Sequence, residues 1–170
     1  IPSAVGVDIG CGMAAIQTNR LSERVLEKLP EIRAEIERRV PVGFESRKER
    51  ATPLGIVNWE RLRDIRNVDA ELERKAMLQC GTLGSGNHFI EVCVDQFGMV
   101  WVMLHSGSRN IGKTLAERHI ETAKGIAKRY FIDLPDPALA YLAVNTPEFG
   151  AYIDAMSWCQ SYALENRTIM

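Results

Sequence analysis

The spacing of hydrophobic positions along the chain changes three times, and those changes mark out its elements. Ala4 to Ile9 alternates small and β-branched residues, which predicts a short strand ending at the turn Gly10-Cys11-Gly12. From Ser22 onward, Val25, Leu26, Leu29, Ile32, Ile36 and Val40 keep helical spacing. Pro30 suits the first turn of a second helix, so this stretch predicts a helical hairpin. Residues 41–58 mix proline, glycine and charge without a period and read as a surface loop. Helical spacing returns from Trp59 to Leu78. His88 to Val94 and Met99 to Leu104 are rich in β-branched and aromatic residues, and Asp95-Gln96-Phe97-Gly98 between them signals a hairpin. Lys113 to Phe131 reads as a helix. Thr146-Pro147 caps a last, long one running through Tyr152, Met156, Cys159 and Ala163.

Composition narrows the class. At 170 residues and 46% hydrophobic, the chain can bury one ordinary core and is expected to form a single domain. Its 21 basic and 22 acidic residues give a net charge of -1, so any polyanion must be held by local features. Four cysteines without a C-x-x-C pair suit reduced thiols and a cytoplasmic location. No apolar run reaches the roughly 18 to 20 residues that cross a bilayer, and no basic-then-apolar leader opens the chain. The chain opens at Ile1 on a strand-like segment and closes on an uncapped helical pattern at Met170, so it is expected to be an internal fragment of a longer protein.

Three motifs carry candidate chemistry. In Asp8-Ile9-Gly10-Cys11 a carboxylate and a thiol share a glycine-flanked turn; they can reach one metal, or Asp8 can satisfy turn amides while Cys11 fills space. Residues 81–88, GTLGSGNH, place three glycines before Asn87-His88. No Lys-Ser/Thr follows them, and a strand comes next instead of a helix, which excludes the Walker and dinucleotide fingerprints and leaves a tight turn as the plain alternative. The third motif, His105-Ser106-Gly107-Ser108-Arg109, leaves an apolar strand with a metal-capable imidazole and donors for phosphate oxygens; the alternative is a serine-shaped turn with a solvated arginine. Together Asp8, Cys11, His88 and His105 form a donor set for zinc, manganese or iron. His119, flanked by Glu117, Arg118 and Glu121, reads as a surface residue.

In this order, VGVDIGCGM, CGTLGSGNHFIEV and MLHSGSRNIG closely resemble the RtcB family of RNA ligases. The similarity runs along the chain to the closing helix with its asparagine-arginine pair. The resemblance implies an α+β fold, a mixed or antiparallel β core with helices around it. It implies an enzyme dependent on manganese and GTP that joins an RNA 3′-phosphate or 2′,3′-cyclic phosphate to a 5′-hydroxyl, as in tRNA splicing or RNA repair. In the family a histidine is guanylylated by GTP and passes the guanylate to the RNA end. Cys11 would then bridge two manganese ions, with Asp8 and His88 on one and His105 on the other, and Asn87 would hold GTP phosphate oxygens. Arg109 would contact an RNA or nucleotide phosphate through its planar fork, as an exposed residue of little weight in folding.

Asn110 stands where many relatives carry glycine, and asparagine tolerates the left-handed backbone that such a loop needs. The family's upstream metal segment, a further histidine ligand, the histidine nucleophile and much of the guanine pocket have no counterpart in these residues, so the chain alone is expected to be inactive. Two other classes fit the same donors: a metal-dependent phosphohydrolase and a noncatalytic RNA- or metal-binding module.

Overall fold

The computed structural model describes residues 1–6 and 8–170. Three strands form one antiparallel sheet in the order β1-β3-β2, with β1 spanning Gly12–Leu21, β2 Phe89–Val94 and β3 Met99–Ser106. The fold is α+β, with helices α1 (Leu29–Arg39), α2 (Ala70–Gln79), α3 (Ile111–Arg129) and α4 (Pro147–Ile169) around the sheet. The β2–β3 hairpin forms where its turn residues place it. Asp95 accepts hydrogen bonds from the amides of Phe97 and Met99 and from the Trp101 indole, which closes the turn from both sides.

Register then decides where the motifs fall. His105 pairs with Met13 on one side and with Phe89 on the other. The segment before β1, the segment before β2 and the segment after β3 therefore meet at one end of the sheet. These are the three motifs.

The main core lies where α4 packs on α3 and α2. It gathers Ile9, Leu62, Leu72, Ile111, Leu115, Trp158 and Tyr162, and the Tyr162 hydroxyl donates to the Ala76 carbonyl at 2.8 Å. Thr146 caps α4 by accepting the Phe149 amide, with Pro147 in the first turn as its fixed φ favours. Among the described residues no helix is long and apolar enough to cross a membrane.

Several elements differ from the sequence reading. Pro2–Val5 is a single 3-10 turn, and the strand starts only at Gly12; Val7, within the expected strand, lies outside the described residues. Pro2 fixes the φ that opens that turn, and Gly6 closes it by donating to Ser3. The residues of β1 lack an apolar alternation because most of its positions are exposed, and its ladder to β3 is what makes it a strand. In place of a helical hairpin over 22–40 there are two 3-10 turns and one helix, α1, with Pro30 in its first turn. The expected helix from Trp59 to Leu78 is broken by Asn67 at φ 72°, after which Asp69 caps α2 through the Leu72 amide. Residues 41–58 are irregular apart from a bridge between Val42 and Gly84.

His119 is not a surface residue. It follows Leu115 and precedes Ala123 by one helical turn each, so it lies on the buried stripe of α3 and is 1% exposed. Its charged neighbours occupied the sequence reading, but they point elsewhere on the helix. Its ring meets Tyr152 edge to face at 5.5 Å, and neither His119 Nε2 nor the Tyr152 hydroxyl has a partner among the described residues. Burial, and then the charge of Arg66, holds its pKa below the usual value of 6.5. The unfolded chain therefore binds a proton that the folded chain resists. The resulting stability is present above about pH 6.5 and is lost as pH falls, by at most about 1.4 kcal/mol per pH unit. Thermal melts from neutral pH down to about pH 5 should show this slope, and His119→Phe should flatten it. An identical pH profile in that variant would show that His119 is as accessible to protons when folded as when unfolded.

Candidate metal centre

The three motifs bring their donors together. Cys11 Sγ lies 3.2 Å from His105 Nε2 and 3.5 Å from His88 Nε2, and His88 Nε2 lies 3.0 Å from an Asp8 carboxylate oxygen. Donor atoms of Cys11, His88 and His105 all fall within 4.8 Å of one another. Ligands around a tetrahedral ion at ordinary bond lengths sit on the order of 3.5 Å apart. The spacing fits.

Hydrogen-bond bookkeeping points the same way. His88 Nδ1 lies 2.9 Å from the Leu83 carbonyl, which can only accept, so Nδ1 carries the ring proton. Nε2 is then a lone pair facing the Asp8 carboxylate and the Cys11 sulfur. Such an arrangement needs a positive centre among the three, a proton or a metal ion, and the carbonyl behind the ring is the second partner that metal-binding histidines usually have. On the other side of Cys11, the Asn87 side-chain amide lies 3.5 Å from His105 Nε2, and His105 Nδ1 is buried without a partner among the described residues. Cys11 itself is half-buried. Its thiol is pushed up to about 11 by burial and by the hydrogen bond and charge of Asp8, against the opposing charge of Arg167. Without a cation the sulfur holds its proton at neutral pH.

Backbone contacts fix these side chains. The amide and hydroxyl of Ser108 both lie 3.3 Å from the second Asp8 oxygen. Gly107 makes room for that carboxylate, because a Cβ there would fall 2.6 Å from both oxygens. At the far end of α4, Asn166 is fully buried; its carbonyl oxygen accepts the Gly81 and Thr82 amides while its nitrogen donates to Ser106 Oγ and the Gly107 carbonyl. Arg167 donates from one nitrogen to the carbonyls of Gly10 and Ser106. One residue before Asn166, the buried Glu165 carboxylate accepts from the amides of Ile56 and Val57 and from the Trp59 indole. The sequence reading gave none of these polar residues a structural role. The signal for them is spacing, since Glu165 and Asn166 continue the buried stripe of Tyr152, Ala155, Cys159 and Tyr162.

Arg109 requires a correction. Expected to be solvated, it is 5% exposed. Its Nε donates to Thr82 Oγ1 at 2.9 Å, and Nη2 donates to the Gly43 carbonyl and the Gln79 side chain. The left-handed backbone at Arg109 and Asn110, φ 54° and 65°, turns the chain from β3 into α3 and carries the guanidinium inward beneath Gly84. Asn110 thus adopts the conformation for which asparagine is suited.

The family profile described as tRNA-splicing ligase RtcB matches residues 1–58 and 58–170. The RNA-splicing ligase RtcB of Escherichia coli K12 is 37% identical over 183 residues, which cover 100% of this chain and 45% of that protein. The tRNA-splicing ligase RtcB of Methanococcus maripaludis is 32% identical over 213 residues, covering 99% and 44%. That of Aeropyrum pernix is 29% identical over 214 residues, again covering 99% and 44%. The chain thus spans less than half the length of these curated relatives.

Because Arg109 joins Thr82, Gln79 and Gly43, replacing it should cost stability. Lysine cannot span the three partners, so Arg109→Lys should lose about 2 kcal/mol or more. That corresponds to a fall in melting temperature of roughly 4–8 °C. An unchanged melting curve would return Arg109 to the class of solvated residues.

Proposed function

The chain belongs to the RtcB family of tRNA-splicing ligases, and on that footing we propose that it carries one flank of the catalytic cleft of a manganese- and GTP-dependent RNA ligase. The reaction is the joining of an RNA 3′-phosphate or 2′,3′-cyclic phosphate end to a 5′-hydroxyl end. The observation that supports it is the convergence of Asp8, Cys11, His88 and His105, brought from three separate loops to one end of the sheet.

In this reading Cys11 would serve as a ligand to divalent cations together with Asp8 and His88 and together with His105. Divalent cations held there supply positive charge where phosphate oxygens gather it. The residues of the chain do the rest of the positioning. His88 keeps its Nε2 free by donating Nδ1–H to Leu83, Ser108 orients the Asp8 carboxylate, and Asn87 offers an amide to phosphate oxygens. Arg109 serves by fastening the loop of Gly43 to the strand end, and its Nη1, without a hydrogen bond among the described residues, remains for a phosphate. The nucleophile comes from elsewhere. Of the three histidines, His88 and His105 face Cys11, and His119 is buried under Tyr152.

Two measurements test this reading together. Calorimetry should show manganese binding to the chain, with release of a proton from the Cys11 thiol. Because that thiol sits near pKa 11, affinity should rise as pH rises through neutrality. Cys11→Ser should abolish the binding. In a protein carrying this chain together with the remainder of the family's length, RNA joining should require GTP and manganese and should fall by at least about a hundredfold in the same variant. Hydrolysis of phosphate esters without GTP, or joining at full rate in Cys11→Ser, would overturn the proposal.

A further inference from the structure

The end of α1 and the irregular segment 41–58 enclose a trough of about 900 Å³ that shares no wall residue with the donor cluster, and a second cavity of about 460 Å³ continues it to Met170. Its wall carries Arg38, Arg39, Arg47, Lys48 and Arg50 against a single acid, Glu49. Five cations to one carboxylate is a local excess in a chain whose total is -1. Arginines in a last helical turn offset the helix macrodipole, which accounts for Arg38 and Arg39 at the end of α1. It does not account for the three cations of the loop.

These cations are held in place with donors to spare. Arg38 and Arg39 share the one carboxylate of Glu35, so the three side chains together stay positive. Arg47 sends Nε and Nη2 to a single acceptor, the Gly81 carbonyl, and its Nη1 has no hydrogen bond among the described residues. Arg50 lies over the Trp59 ring at 4.4 Å, a contact that orients the guanidinium without using its N–H groups. Lys48 is exposed and has no ion pair or hydrogen bond among the described residues. A guanidinium fork already ordered in this way loses less freedom when it meets a phosphate. Among the described residues no aromatic ring lines the trough, so it offers nothing on which an unpaired base could stack.

We propose that this trough takes the phosphate backbone of a base-paired stem of the substrate RNA, away from the end being joined. The proposal rests on the RNA-ligase reading for the identity of the polyanion. Cations without a stacking platform match the way duplex RNA is bound, through its shape and its phosphates and not through splayed bases. The link to the donor cluster is covalent and short. Gly81, whose carbonyl fastens Arg47, opens the loop that ends on His88. A stem in the trough is therefore positioned by the same loop that carries a metal donor. An acidic polypeptide would present carboxylates to the same cations, so the test includes one.

The test is fluorescence anisotropy of this chain, in EDTA and across a series of salt concentrations, with an end-labelled RNA hairpin, with labelled oligouridine of the same length and with labelled poly-glutamate. The hairpin should bind most tightly of the three. Arg39→Gln/Lys48→Gln should weaken hairpin binding by about tenfold or more and lower the salt slope by about two, at roughly 0.9 per duplex phosphate. Arg38→Gln/Lys48→Gln, which leaves Arg39 paired with Glu35, should do the same. Lys128→Gln/Arg129→Gln removes two charges from the last turn of α3 and should change neither affinity nor slope. The proposal is overturned if the parent chain does not bind the hairpin, or if oligouridine or poly-glutamate binds as tightly. It is also overturned if both trough variants keep the parent's slope, or if the α3 variant loses as much as they do. These titrations need neither metal nor turnover, so their failure is distinct from failure of the manganese and joining assays, which alone decide the ligase reading.

Discussion

Everything at the donor-bearing end of the sheet depends on one buried carboxamide. Asn166 has two acceptor lone pairs and two donor hydrogens, and all are used: two amides from the glycine loop enter one side, and a hydroxyl at the end of β3 and the carbonyl that follows it receive the other. A buried polar group is costly unless fully paired, and when fully paired it permits a single arrangement of its neighbours. Arg167 extends the tie to the Gly10 turn. The end of α4 therefore holds together three loops that otherwise have little apolar surface of their own.

Close approach is what converts this scaffold into chemistry. Two glycines mark the places where a functional group replaces a side chain: the Asp8 carboxylate fills the space beside Gly107, and the Arg109 guanidinium lies beneath Gly84, where His88 Nδ1 also borders. A carboxylate, a thiol and an imidazole packed at these distances raise one another's energy unless a cation joins them. Burial first, and then the hydrogen bond and charge of Asp8, hold the Cys11 proton firmly.

Much of this was legible in the residues themselves. Asp95 to Gly98 announced the β2–β3 hairpin, Thr146-Pro147 announced α4, and the three motifs announced the four donors that the structure gathers. What stayed hidden was hidden for identifiable reasons. The strand β1 draws its stability from backbone pairing with β3, and so its mostly exposed side chains carry no alternation to read. His119 and Arg109 were misplaced because polarity was taken as exposure. A single polar residue on an apolar stripe, or one turning inward through a left-handed pair, obeys geometry before composition. Glu165 and Asn166 were given no structural reading, and their spacing along α4 is the guide to them.

The sequence distances spanned by these ties govern when the site can exist. Asp8 is separated from His88 by 80 positions, Cys11 from His105 by 94, and Gly10 from Arg167 by 157. Loops of that length close slowly, and their closure becomes favourable only when the contacts at their ends can form. During synthesis the first motif emerges long before the helix end that fastens it. The nascent chain therefore displays Asp8 and Cys11 as an open pair, and the full donor cluster appears only once residues 166 and 167 have cleared the ribosome. Whatever these donors hold, they can hold it as a set only after the two ends of the chain have met.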